Sequence, residues 1–295
     1  MNCIFIYNPN SGKGKINKKC NYIKEVLGRK YDVVDVYETK SGIDTRLKAA
    51  EVCGKYDVLV FAGGDGTFND IISGISPQPV RPILGYIPSG TVNDIARNLK
   101  IPKSIKKALQ IIINGKTVLH DVGKVNHDYF TYVLALGVFS SISYRTKQHL
   151  KKKFGKIAYV LDAAKDVFKP TTNKISITIN DTTKEYESPL ILILNSRSVG
   201  GVSFNRYGHL NDGYFEIMVI KKGIYRGFFK IIRFFISGLL GLRYKHVVYY
   251  SKASHFSIAP ATDTQWCIDG EAGPVGKINV SNLHHHFEIF TPNPN

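Results

Sequence analysis

The chain has 295 residues, 43% of them apolar, which is enough to bury a large core and excludes disorder by composition. Forty Lys and Arg against 23 Asp and Glu leave a formal net charge of +17, which favours anionic partners: nucleic acid, a membrane surface or phosphorylated ligands. The four cysteines, Cys3, Cys20, Cys53 and Cys267, lack zinc-type spacing and read as reduced thiols rather than a disulfide scaffold.

Met1 leads straight into a strand with no charged n-region and no cleavage site, so no signal peptide is expected. Residues 1–115 alternate strand and helix. The apolar runs predict strands over 3–7, 31–37, 58–61 and 82–87. Helical patterns fall at 16–27 and 44–54, from about Phe68, up to Leu99, and at 102–114. This order implies a doubly wound α/β domain, a parallel sheet with helices on both faces.

Three loops follow the carboxyl ends of those strands, where open α/β sheets bind ligands. The first carries Asn8, Pro9, Ser11, Gly12, Lys13, Gly14 and Lys15. The second, Gly63-Gly64-Asp65-Gly66-Thr67-Phe68-Asn69, breaks the most apolar strand and leads into a helix. The third carries Ser89, Gly90 and Thr91. Glycines let a chain turn sharply and approach a ligand closely, and a helix N-terminus offers N–H groups to phosphate. Asp65 cannot cradle a phosphate directly, since both are negative; it suits Mg²⁺, or a water on Mg²⁺. Any one loop reads equally as a capped turn, but three on one sheet edge point to phosphate contact. There is no G-x-x-x-x-G-K-[ST] motif, which excludes a P-loop enzyme.

From residue 117 the pattern changes to many short strands: 117–125, 129–137, 174–180, 184–188, 190–195, 214–221, 246–251, 253–259, 264–268 and 277–281. Helices are expected at 155–168 and 223–240. Such a run argues an antiparallel β-sandwich. The expected domains are 1–118 with 287–295, and 119–286. Asp269-Gly270-Glu271 ends a strand in a turn that offers two carboxylates, and Asn211-Asp212-Gly213 is a strong hairpin signal.

Lys147, Lys151, Lys152, Lys153 and Lys156 cluster, and Lys222, Arg226, Lys230 and Arg233 share one face beside Ile224, Phe228, Ile231 and Phe235. That pattern suits an anionic bilayer surface, and equally a helix covering the sandwich with a solvated basic face. The stretch 228–242 is too short and too charged to span a bilayer. The expectation is a cytoplasmic protein associated peripherally with membrane. His284-His285-His286 reads as a solvated strand end, because alternation sends neighbouring side chains to opposite faces.

The motifs, taken together and in order, resemble a known family. Asn8-Pro9 with Ser11-Gly12, then GGDGTFND, then SGT-x-ND-x-AR-x-L look like the diacylglycerol kinase catalytic domain of bacterial lipid kinases and sphingosine kinases. Asp121-Val122-Gly123, Phe130 to Gly137 and Asn195 with Gly200-Gly201 carry the resemblance into the second half. The GGDG core alone also occurs in NAD kinases and phosphofructokinases, but the T-P-T-G-S-T-A stretch of the NAD kinases is missing. The resemblance implies an ATP- and Mg²⁺-dependent lipid kinase with its active site in the interdomain cleft. It would transfer the γ-phosphate to a lipid hydroxyl, most directly that of diacylglycerol.

It also implies that Thr39 lies near ATP, and that Asp269 or Glu271 takes the proton from the acceptor. It further implies that Asp212, with the backbone carbonyls of His209 and Tyr214, holds a structural Mg²⁺. Asn211 stands where the family more usually has an acidic residue. A sphingoid base or soluble polyol as acceptor, a catalytically silent binding protein, GTP in place of ATP, and a homodimer all stay open. Nucleic acid would explain the charge but not the three loops, so no nucleic-acid partner is expected.

Overall fold

The computed structural model describes residues 1–9, 14–137, 172–199, 205, 208–222 and 248–292. The expected helices at 155–168 and 223–240, the lysine cluster from Lys147 and the Gly200-Gly201 pair lie outside these residues. The chain divides into two compact units, Met1–Val122 with His284–Asn295, and Gly123–Leu283.

The first unit is a parallel sheet. Strands β1 (Asn2–Tyr7), β2 (Val33–Glu38), β3 (Val58–Gly63) and β4 (Ile83–Pro88) lie in the order β2-β1-β3-β4. All pair in parallel, and β4 is followed in the sheet by the far end of a long strand, β16 (Ile278–Phe290), through Ile289 opposite Leu84. Every residue of β3 is buried, as a parallel strand covered on both faces requires, whereas edge strand β2 is mostly exposed. The helices are α1 (Cys20–Leu27), α2 (Gly42–Glu51), α3 (Asp65–Ile75), α4 (Asp94–Asn98) and α5 (Ile105–Asn114). The Ser41 hydroxyl caps α2 by accepting the Asp44 N–H at 3.1 Å, and Gly115 ends α5 at φ 74°.

The second unit is built of antiparallel strands in two layers. One layer runs β12 (Val248–Ala253), β11 (Phe215–Ile220), β10 (Leu190–Leu194), β7 (Val133–Gly137), β14 (Gln265–Ile268), β15 (Glu271–Val275). The other holds β5 (Thr117–Val125) with β6 (Asp128–Phe130), and the near end of β16 with β13 (His255–Pro260), β8 (Asn173–Ile179) and β9 (Thr182–Ser188). Inward residues of both layers, among them Phe130, Leu134, Ile177, Ile193, Phe215, Ile258 and Trp266, form one apolar core. This is the expected sandwich. Strands β5 and β16 each carry chain from one unit into the other.

Four local expectations change. The 16–27 helix opens with a 3₁₀ turn at Asn17–Lys19 and becomes α-helical at Cys20. Helix α3 starts at Asp65 rather than Phe68, because Gly64 already serves as its N-cap and Phe68 N–H reaches Gly64 O at 3.0 Å. The 129–137 strand is broken at Thr131-Tyr132, whose amides are claimed by a side chain. The histidine run is not a strand end but lies inside β16, and His285 adopts φ 51°. His286 is half-buried, its pKa pushed down to about 4 by burial and by the nearby Arg81.

Candidate functional site

In the first unit the strand order reverses between β1 and β3, and this is where an open α/β sheet leaves a crevice outside its carboxyl ends. Asn8 and Pro9 follow β1 there; Gly63 closes β3; Ser89, Gly90 and Thr91 follow β4. Gly14 lies further along the first loop at φ 77°, and Ser11, Gly12 and Lys13 fall outside the described residues. Thr39 is buried beside β1, its N–H donating to Tyr7 O at 2.9 Å.

The second and third loops pack backbone on backbone. A Cβ at Gly90 would lie 2.5 Å from Gly64 Cα and 2.6 Å from Asn93 Oδ1; a Cβ at Gly64 would lie 3.2 Å from Gly90 Cα. Asn93 ties this contact. It is buried and left-handed at φ 54°, a region Asn tolerates better than other side chains. Its Oδ1 accepts from Gly90 N–H at 3.0 Å and from the Tyr86 hydroxyl at 3.3 Å, while its Nδ2 donates to Gly90 O at 2.8 Å. Ser89 N–H and the Tyr86 hydroxyl both reach Gly63 O, at 2.8 and 3.2 Å. Burial holds the Tyr86 phenol well above its ordinary pKa, so it remains a neutral donor.

Asp65 is the first residue of α3, where the helix dipole favours a carboxylate, and its Oδ1 accepts the Ile95 N–H of α4 at 3.4 Å. Gly66, Thr67 and Asn69 complete the first turns of α3, with Asn69 Oδ1 accepting from Ser73 Oγ at 3.3 Å. Lys103 Nζ donates to Thr91 O at 2.9 Å. Asp94 is buried, with Arg97 at 3.7 Å. Tyr86, one fastener of the two glycine loops, escaped the sequence reading, and Asn93 entered it only as a letter of the SGT-x-ND motif, without a role. Nothing local marks a buried Tyr as a loop clamp.

In the second unit the structure separates the two carboxylates of Asp269-Gly270-Glu271. Asp269 and Gly270 have φ 48° and 89°, both positive, and Ile268 pairs with Glu271. They are the central residues of a two-residue hairpin between β14 and β15, for which Asp-Gly is the favoured pair. The Asp269 carboxylate turns inward. Its Oδ2 accepts from Thr131 N–H and Thr131 Oγ1, both at 2.7 Å, and its Oδ1 accepts from Tyr132 N–H at 3.0 Å and Val133 N–H at 2.9 Å. The Tyr132 hydroxyl returns to Asp269 O at 2.8 Å. Burial raises its pKa above the ordinary carboxylate value, and these donors offset only part of that rise. The carboxylate is an anchor that takes up the amides where the chain passes from β6 to β7. Glu271, one residue beyond the turn, is exposed.

Asp212 sits in a bend ahead of β11, with Gly213 at φ 77°; no strand runs into that bend over residues 208–214, so it does not close the hairpin that Asn-Asp-Gly signals. Its Oδ1 accepts the Tyr214 N–H at 3.1 Å and its Oδ2 is paired with Lys252 Nζ at 2.7 Å. That hydrogen bond raises the pKa of Lys252. An Asp carboxylate and turn carbonyls are hard oxygen donors that fit Mg²⁺ in kind, and Lys252 is a competing cation on the same carboxylate. His209 is exposed and Tyr214 is 47% exposed.

A scan of the sequence against family models matches the diacylglycerol kinase catalytic domain over residues 2–125. A diacylglycerol kinase of Staphylococcus saprophyticus is 35% identical over 295 residues, covering 98% of this chain and 94% of the relative. The chain belongs to the diacylglycerol kinase family. A diacylglycerol kinase of Staphylococcus epidermidis is 34% identical over 97% of this chain and 91% of its own length. Among solved structures, one from Bacillus anthracis str. Sterne matches with a TM-score of 0.87 at 26% identity, covering 99% of this chain and 95% of that one. A diacylglycerol kinase from the same organism matches with a TM-score of 0.84 at 25% identity, covering 99% and 97%. As a member of the diacylglycerol kinase family the chain is an enzyme, a phosphotransferase with a lipid alcohol as acceptor. Among the described residues no helix is long and apolar enough to cross a membrane.

Proposed function

We propose that this diacylglycerol kinase family member transfers the γ-phosphate of ATP, supplied with Mg²⁺, to the free hydroxyl of diacylglycerol, giving phosphatidic acid. The observation that carries the nucleotide half is the Gly64–Gly90 contact between the loops that follow β3 and β4, next to the strand-order reversal. It brings two glycine loops together at the start of α3, with the Asn93 side chain tying them. Asn8, Pro9, Ser11, Gly12, Gly14, Thr39, Gly63 to Thr67, Asn69 and Ser89 to Thr91 are the proposed nucleotide contacts. Mg²⁺ neutralises phosphate charge when bound, and Asp65 is the carboxylate proposed to hold it or its water.

Glu271 is the proposed base. The acceptor alcohol must lose its proton as it attacks phosphorus, and an exposed carboxylate on a locked hairpin can take it. Asp269 is proposed as the residue that positions it, since its carboxylate is committed to Thr131, Tyr132 and Val133. A structural Mg²⁺ is proposed at Asp212 with the His209 and Tyr214 carbonyls. Association with an anionic membrane surface, through the basic segments outside the described residues, is proposed over binding to nucleic acid.

The test is transfer of labelled γ-phosphate from ATP and Mg²⁺ to diacylglycerol, a sphingoid base and glycerol in mixed micelles, with Glu271→Gln alongside. Label in diacylglycerol, lost in the variant, is the expected result. Label in the sphingoid base or glycerol instead would overturn the acceptor, and full activity of Glu271→Gln would overturn the base.

A further inference from the structure

Beyond phosphoryl transfer, we propose that Asp121, His284 and His285 form a binding site for a borderline divalent metal of the Zn²⁺ and Co²⁺ class. Regular strand geometry would send His284 and His285 to opposite faces of β16. The left-handed φ of 51° at His285 breaks that alternation, and the two imidazoles lie together with ring centroids 3.6 Å apart. Both stand over Asp121 of β5, whose side chain is fully buried. Asp121 Oδ1 lies 3.0 Å from His284 Nδ1 and accepts the His285 backbone N–H at 2.8 Å. One donor atom from each residue falls within 4.8 Å of the others, and no other such group of three occurs among the described residues.

The chemistry of the donor set selects the ion. Two imidazoles and one carboxylate suit Zn²⁺, Co²⁺ or Ni²⁺, whereas Mg²⁺ and Ca²⁺ prefer oxygen alone. Metal–ligand distances of about 2.0–2.2 Å around a tetrahedral ion place donors roughly 3.4 Å apart. The exposed imidazoles reach that spacing by side-chain rotation, while the buried carboxylate stays where it is. The support behind it is already built: His120 Nδ1 lies 2.7 Å from Asp121 O, and the His120 ring stacks on Phe287 with centroids 5.0 Å apart. Such outer contacts hold a ligand in place before the ion arrives. Three protein ligands leave the remaining position to water.

The experiment titrates the full chain with Co²⁺ in excess Mg²⁺, reading the visible band of tetrahedral Co²⁺, and then displaces it with Zn²⁺. The expected result is one saturable equivalent, weakened about ten-fold or more by His284→Ala and by His285→Ala and retained in His286→Ala and His209→Ala. Zn²⁺ should also raise the Tm of the wild type and not of His284→Ala, by mass action on the folded state. Both ligating imidazoles are exposed, so their removal leaves the fold intact, which circular dichroism checks. Absence of the band overturns the site. So does a band that survives both ligand variants, or one lost equally in His286→Ala, which would mean a floppy histidine run.

Discussion

Replacing Asp269 with Ala should unfold part of the second unit before it touches chemistry. The variant leaves three backbone N–H groups and the Thr131 hydroxyl without their acceptor in a buried position. Each unmatched buried donor costs about 1–3 kcal/mol, and partial relaxation with water entry lowers the sum. With four neutral donors left unmatched and partly rehydrated, a net loss of about 3–5 kcal/mol is expected. At about 2–4 °C per kcal/mol for a unit of this size, Tm should fall by roughly 6–20 °C. Glu271→Gln, at an exposed position, should change stability by no more than about 0.5 kcal/mol while lowering turnover by about 10²–10⁴-fold. Differential scanning calorimetry, a nucleotide-binding assay and the micelle kinase assay run on both variants separate the two roles. If Asp269→Ala melts with the wild type, binds ATP and yet turns nothing over, Asp269 acts in the chemistry and the anchor argument fails.

Gly90→Ala forces a Cβ to within 2.5 Å of the Gly64 Cα, and backbone cannot yield cheaply. The KM for ATP should rise about ten-fold or more, and an unchanged KM would count against the loop contact as a nucleotide cradle. Burial raises the Glu216 pKa, so its ionised form is penalised in the folded state and stability is lost as pH rises through the folded value. Glu216→Gln keeps an acceptor for Asn205 Nδ2, now at 2.6 Å, and should be more stable than wild type at pH 7 but not at pH 4. Destabilisation at pH 7 would refute that sign. Lys252→Ala removes the cation on Asp212, so added Mg²⁺ should raise the Tm of the variant more than that of the wild type. Equal responses would argue against a metal at that turn.

The fold class was legible because each half carries one repeating signal. Fully apolar strands broken by glycine loops spelled the parallel sheet, and short alternating strands spelled the sandwich. What stayed hidden depends on contacts distant in sequence. Nothing near Asp269 says that its carboxylate meets Thr131, 138 residues away, so the two acids of one turn could not be told apart. Strand alternation is a sound rule that a single positive φ at His285 overrides, and a sequence does not announce which non-glycine residue will take that conformation. The start of α3 was misplaced because Gly63 and Gly64 lower helix propensity without preventing Gly64 from serving as the cap.

The parallel sheet of the first unit is completed by a strand made only after the second unit. Ile289 pairs with Leu84, and Phe287 packs its ring against Phe68 of α3 and His120. On the ribosome, a nascent chain that has released residues 1–122 must wait for the whole second unit to emerge before β16 arrives. Until then β4 presents an open parallel edge, the kind that recruits foreign strands. The interval between these two syntheses is where a chaperone, or a slowed codon, would do most for the yield of this kinase.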